Sequence, residues 1–134
     1  AESLFDQLPK EHQAWAIEFQ QQLSNMACVA VNESFEEDGP LSFIQEVISI
    51  HTPGHMPGHI SLYIPSLKTL IAADAMVIEN ERLQIANPQF TLDLTEAVAS
   101  VKKLSQLEID TLICYHGGIM TENIDQNMIE LTNS

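Results

Sequence analysis

Thr52-Pro53-Gly54-His55-Met56-Pro57-Gly58-His59 packs two prolines, two glycines and two histidines into eight residues. Proline has no N–H to give to a helix or a sheet ladder, so the segment reads as a stiff loop that holds its imidazoles in place. Downstream, Ile60, Leu62 and Ile64 alternate with Ser61 and Tyr63, the period of a strand. Pro65-Ser66 turns the chain, and Thr69 to Ala73 is a small-apolar run that ends at Asp74, as a buried strand delivering a carboxylate would.

The pattern continues outward in both directions. A hairpin is expected through Val77-Ile78 and Leu83-Gln84-Ile85 around Asn80, with Glu79, Glu81 and Arg82 at its tip. Asp93 caps a helix over 94–106, with Glu96 at capping-box spacing and Leu94, Ala97, Val98, Val101 and Leu104 as its stripe. Thr111 to Tyr115 is a second buried strand, in which Tyr115 is expected to pack, and it stops at His116 before Gly117-Gly118. A closing helix places Ile124, Met128 and Leu131 on one face.

Upstream, Asp38-Gly39-Pro40 signals a turn, and Leu41 to Ile50 holds one or two strands. Residues 10–25 form an amphipathic helix after Pro9, with Trp15, Ala16, Phe19, Leu23 and Met26 on its stripe and Trp15 as a core anchor. Strands and helices mix throughout, which makes the class α/β or α+β. The acidic run Glu33, Glu36, Glu37 and Asp38 is a solvated loop.

Three ionisable residues therefore sit at strand ends or in the stiff loop: His55, Asp74 and His116. Taken singly, each has a bland reading, an Asp after a strand being a common turn former. Together they are a ligand set that zinc accepts readily and that iron or manganese also uses. His12 lies on a helix stripe and has a packing or surface role, and His51 a loop role.

The order Thr-Pro-Gly-His-x-Pro-Gly-His, strand, turn, strand ending Ala-Ala-Asp, helix, strand ending Tyr-His-Gly-Gly resembles the metallo-β-lactamase superfamily over residues 41–118. The resemblance implies that His55 binds one metal, that Asp74 bridges two and has a catalytic part, and that His116 binds the second. His59 is implied to stand outside the ligands and to hydrogen-bond near them. The implied fold is half of an αββα sandwich, a mixed sheet with flanking helices, in a single domain over 1–134.

The implied activity is that of a metal-dependent hydrolase, with two zinc ions in the intact protein and a metal-bound hydroxide as nucleophile. Its small-molecule substrate is an ester, thioester, lactone, amide or phosphoester. Iron-dependent redox chemistry and a non-catalytic interaction or assembly module are the alternatives.

The family's His-x-His-x-Asp-His run is missing, since the histidines are His12, His51, His55, His59 and His116. The chain, which opens at Ala1, is therefore expected to be the C-terminal portion of a longer protein, whether a proteolytic piece, an excised domain or a split chain. Alone it should be weakly active or inactive. Ile60, Leu62, Ile64 and Leu70 are expected on an uncovered inner sheet face, to be met by the missing N-terminal half or by a second copy.

The 134 residues carry 19 Asp plus Glu against five Lys plus Arg, a formal charge of -14 that opposes nucleic acid and anionic membranes as partners. No stretch is apolar enough to span a bilayer and no leader is evident, while Cys28 and Cys114 show no paired spacing. A soluble, cytoplasmic protein is expected.

Overall fold

The computed structural model describes residues 9–133, so Ala1 lies outside the described residues. Contacts divide the chain into two units, residues 1–34 and 35–134. In the first, α1 (Lys10–Asn25) is the expected helix, with Pro9 as its N-cap. Trp15 does not act as a core anchor: it is 64% exposed and stacks on Phe19 with ring centroids 5.2 Å apart. The amphipathic spacing sets which residues share a face, not whether that face is covered.

The second unit is built on a mixed sheet. β1 (Gly39–Pro40), β2 (Ile48–His51), β3 (Ile60–Ile64) and β4 (Thr69–Ala73) run antiparallel in succession. β7 (Thr111–Cys114) lies parallel to β4, and β8 (Gly118–Met120) closes the sheet antiparallel to β7. The parallel step needs a crossover, and the chain between them supplies it. That crossover contains a separate hairpin, β5 (Met76–Glu79) and β6 (Arg82–Ile85), then α2 (Leu94–Leu104). Asn80 and Glu81 at the hairpin tip both adopt positive φ, 51° and 62°, as a two-residue hairpin turn requires.

α2 starts as the sequence predicts, with the Asp93 carboxylate accepting the Glu96 N–H at 2.9 Å. It ends at Leu104, two residues before the expected boundary. The final helix, α3 (Ile124–Asn133), buries Ile124 and Met128. Ile50, Tyr63, Leu70, Leu112 and Met120 from one face of the sheet join Val101 and Leu104 of α2, Ile124 and Met128 of α3, and Met76 and Leu83 of the hairpin in one core.

The opposite face corrects one expectation. Registers align Leu62 with Ile71, Ile71 with Ile113 and Ile113 with Ile119, a row across four strands. Ile60, Leu62 and Ile64 lie on this side and are half-buried, but Leu70 pairs with Tyr63 and is fully buried in the core. Side chains alternate along a strand, and in an all-apolar run such as β4 the sequence does not say which set faces the helices. The strand expected within Leu41 to Ile50 is short, because Leu41 to Val47 is a loop closed by the Leu41 N–H bond to the Val47 carbonyl, 3.0 Å.

Candidate functional site

The loop between β2 and β3 is held from two sides. Within it, Thr52 N–H donates to the His59 carbonyl at 3.0 Å and His59 N–H to the Met56 carbonyl at 3.2 Å. From outside, Asp93 N–H reaches the Gly54 carbonyl at 2.9 Å, Leu92 N–H the His55 carbonyl at 3.3 Å, and the Ser100 hydroxyl the Pro53 carbonyl at 2.7 Å. Gly54 adopts φ +132°, and a Cβ there would run into the Ala97 backbone. Only glycine lets α2 lie this close to the loop.

Asp74 is aimed by an irregularity at the end of β4. The register with β7 slips between Ile71 and Ala73, and Ala73 takes φ 53°, a left-handed conformation that a residue with a Cβ rarely adopts. His116 follows β7, and its carbonyl accepts the Ile78 N–H at 3.0 Å. Gly117, next in the chain, has φ +99°, and a Cβ there would meet the Ile78 carbonyl. The hairpin thus fixes the His116 turn just as α2 fixes the His55 loop.

His55, Asp74 and His116 all line one cleft of about 860 Å³. His116 Nε2 stands 3.4 Å from Asp74 Oδ1, without the alignment of a hydrogen bond, so Asp74 Oδ1 is buried with no partner. His55 Nδ1 is likewise buried and unpartnered. Buried polar atoms are nearly always satisfied, so two orphans beside one cleft mark a place built for a ligand. Among the described residues, no group of three His, Cys, Asp or Glu side chains is close enough to hold a metal ion by itself.

His59 does not line the cleft. Its Nε2 accepts the Asp74 N–H at 3.1 Å, which places the ring proton on Nδ1, 2.8 Å from Thr52 Oγ1. Thr52 Oγ1 then meets Ser61 Oγ at 2.9 Å, and Ser61 donates to the Ala72 carbonyl at 3.3 Å. The chain of bonds starts at Asp74 and returns to the same strand two residues earlier. Burial holds the His59 imidazolium below its ordinary range, with the Asp74 carboxylate opposing and His55 reinforcing the fall. The neutral ring that these bonds require is therefore the form that burial favours.

Two neighbours play other parts. Cys114, at the end of β7, has its thiol pushed up to about 12 by burial, with the Asp74 charge adding to the shift. It is a core thiol with no nucleophilic character. Tyr115 leaves the strand and is 69% exposed, against the packed position expected for it, because the chain turns away from the sheet once Tyr115 N–H has bonded the Ala73 carbonyl at 3.1 Å.

His51 takes the structural part expected of it. Its N–H and Nδ1 both face Asp38 Oδ1, at 2.7 and 3.2 Å, its Nε2 faces the Phe35 carbonyl at 3.1 Å, and its carbonyl accepts from Lys103 Nζ at 3.0 Å.

The family model for the metallo-β-lactamase superfamily matches residues 28–116, two thirds of the chain and all of the strands that carry His55, Asp74 and His116. The chain belongs to the metallo-β-lactamase superfamily. It is 36% identical over 113 residues to the Bacillus subtilis protein named Probable metallo-hydrolase YflN, covering 75% of this chain and 43% of that one.

The superfamily fold is equally plain in solved structures. The metallo-β-lactamase family protein TTHA1429 of Thermus thermophilus superposes with a TM-score of 0.64 at 17% identity, over 96% of this chain and 46% of that one. TTHA1623, solved in a di-iron-bound form, gives 0.60 at 19% identity, over 84% and 56%. The chain spans less than half the length of YflN and of TTHA1429.

The position of residues 76–91 beside the site follows from their place after Asp74, whereas their part as a cleft wall and the Thr52–Ser61–Ala72 relay are not legible in the sequence. Thr52 stands inside the motif with its partner His59, but the relay continues through Ser61 on β3 to Ala72 on β4.

Proposed function

We propose that the whole protein is a metal-dependent hydrolase and that this chain supplies its His55, Asp74 and His116 ligands. The reading is carried by the two unpartnered buried atoms, His55 Nδ1 and Asp74 Oδ1, beside a cleft that His116 also lines. The donor set, imidazole nitrogens and a carboxylate oxygen, is one that zinc, iron or manganese would accept, and His116 Nε2 and Asp74 Oδ1 stand 3.4 Å apart.

A divalent cation held there supplies Lewis acidity and lowers the pKa of water. Asp74 contributes the carboxylate, and the Nδ1–H tautomer of His59 fixes the peptide from which that carboxylate projects. The substrate is a small ester, thioester, lactone, amide or phosphoester. Further donors come from beyond these residues, so the isolated chain is weakly active or inactive. The row from Leu62 to Ile119, half-buried at Leu62, Ile71 and Ile113 and 65% exposed at Ile119, is where the rest of the protein, or a second copy, packs.

Elemental analysis and ester turnover of the whole protein test this reading. Asp74→Asn is expected to lower bound metal and turnover together, and unchanged metal content overturns the ligand assignment. The same analysis separates zinc from iron, the second reading, which the di-iron-bound form of TTHA1623 favours. A wild-type protein without metal or turnover would leave an assembly module as the surviving reading.

A further inference from the structure

The cleft beside His55, Asp74 and His116 has a chemical character of its own. The hairpin lines it with Val77, Ile78 and Ile85 beside Glu79 and Gln84, and residues 86–92 continue the lining. Phe90 and Leu92, in that segment, are 67% and 71% exposed, and Met56 of the His55 loop lines the same cleft. Large apolar side chains left in water around the mouth of a cleft are a recognition feature rather than a packing one. The segment that presents them is firmly built: the Asn87 side chain accepts the Gln89 N–H at 2.9 Å, and the Thr91 hydroxyl bonds the Ala86 and Asn87 carbonyls at 3.1 and 3.0 Å.

The charges point the same way. Among the described residues, no lysine or arginine lines the cleft, whereas the carboxylates of Asp74 and Glu79 do. Lys68 is engaged by Glu108 at 2.9 Å, and Lys103 by Asp38 at 2.6 Å. A carboxylate or phosphate on the part of a substrate that rests against this wall would meet no side-chain cation and would face Glu79. A neutral hydrocarbon chain would meet Val77, Ile78, Ile85, Phe90 and Leu92. A cleft of about 860 Å³ has room for such a chain together with the reacting carbonyl.

We infer that the hairpin and the 87–92 segment form an acyl-chain subsite, which selects uncharged carboxylic esters, open or cyclic, with an aliphatic chain on the acyl side. The inference rests on the hydrolase reading above and narrows it, setting aside phosphoesters and substrates with an anionic acyl group. In the reaction the oxygen of water bonds to the acyl carbon and the ester C–O bond breaks. One proton of the water ends on the alcohol, and the carboxylic acid is released, losing its own proton to solvent.

The whole, metal-loaded protein is tested on p-nitrophenyl acetate, butyrate and hexanoate, with the p-nitrophenyl monoester of succinic acid as an anionic counterpart of the butyrate. The expected result is that kcat/KM rises about fourfold per methylene, the factor that corresponds to about 0.8 kcal/mol for each buried CH2. The succinate monoester should fall at least tenfold below the butyrate. Replacing both Phe90→Ala and Leu92→Ala, exposed positions whose loss leaves the core intact, should reduce the dependence to less than twofold per methylene.

Turnover that ignores chain length, or that favours the succinate monoester, overturns the subsite and leaves the hydrolase standing. If none of these esters turns over, the subsite is judged apart from hydrolysis, on the metal-free protein by NMR. Hexanamide should shift the methyl signals of Val77, Ile78 and Ile85 at concentrations at least tenfold below acetamide, and equal potency of the two amides overturns it.

Discussion

Replacing Thr52 by valine probes the relay behind Asp74 with almost no change in shape. Thr52 is fully buried, and its hydroxyl lies 2.8 Å from His59 Nδ1 and 2.9 Å from Ser61 Oγ. Valine keeps the β-branch and the volume but removes both bonds. Ser61 retains the Ala72 carbonyl as its acceptor, so that side of the relay loses about 1 kcal/mol. His59 Nδ1–H is left without an acceptor in a half-buried place, which adds about 1–2 kcal/mol.

The expected destabilisation is therefore about 2–3 kcal/mol, read from urea unfolding at unchanged slope. Thr52→Ser, which keeps the hydroxyl and drops a methyl, should cost only about 1 kcal/mol. Nitrogen NMR of the His59 ring should report the Nδ1–H tautomer in both variants, since Nε2 still accepts the Asp74 N–H. A serine variant less stable than the valine variant would mean that packing, not the relay, holds this loop. A valine variant within about 0.5 kcal/mol of wild type would refute the reasoning altogether.

Two further perturbations address the loop and its surroundings. Gly54→Ala forces a Cβ onto the Ala97 backbone at φ +132°, and should cost at least about 2 kcal/mol in thermal or urea unfolding; a loss below about 0.5 kcal/mol would mean that α2 does not lie this close. Burial alone would raise the Asp38 carboxyl, but hydrogen bonds from Lys103 and His51 hold it below its ordinary 3.8. Its contribution is therefore present above 3.8 and is lost as pH falls through the lower folded value. Because the Asp38 side chain is 38% exposed, the stability gap to Asp38→Asn should be below about 1 kcal/mol at neutral pH and should close in acid. A gap that widens in acid has the wrong sign.

Local physics made much of this protein readable from its residues. Pro53 and Pro57 cannot join a ladder, so the segment around His55 had to be a loop. The apolar runs from Thr69 and Thr111 had the length and composition of buried strands, and Asp74 and His116 had to follow them. Asp93 and Glu96 announced the start of α2 because a cap is made by residues three apart. In each case the cause lies within a few residues of its effect.

What escaped the sequence depends on partners far along the chain. Nothing near Leu70 tells which side of β4 the helices cover, because that strand is apolar on both faces and the packing of α2 and α3 chooses between them. Nothing near Tyr115 announces that the chain turns outward there, or that Gly118–Met120 returns as β8. Ala73 is left-handed for no reason visible in its own neighbours; the slip against β7 demands it.

The residues by themselves marked His55, Asp74 and His116 as candidate ligands, since ligand type and loop stiffness are properties of short segments. Only the tertiary structure decided how those groups stand to one another: His116 Nε2 opposite Asp74 Oδ1, His59 behind the same aspartate, and a cleft beside them that no described lysine or arginine lines. Distances between residues 55, 74 and 116 are set by strand pairing and by the close approaches that Gly54 and Gly117 permit. Such long-range constraints exist only once the chain has folded.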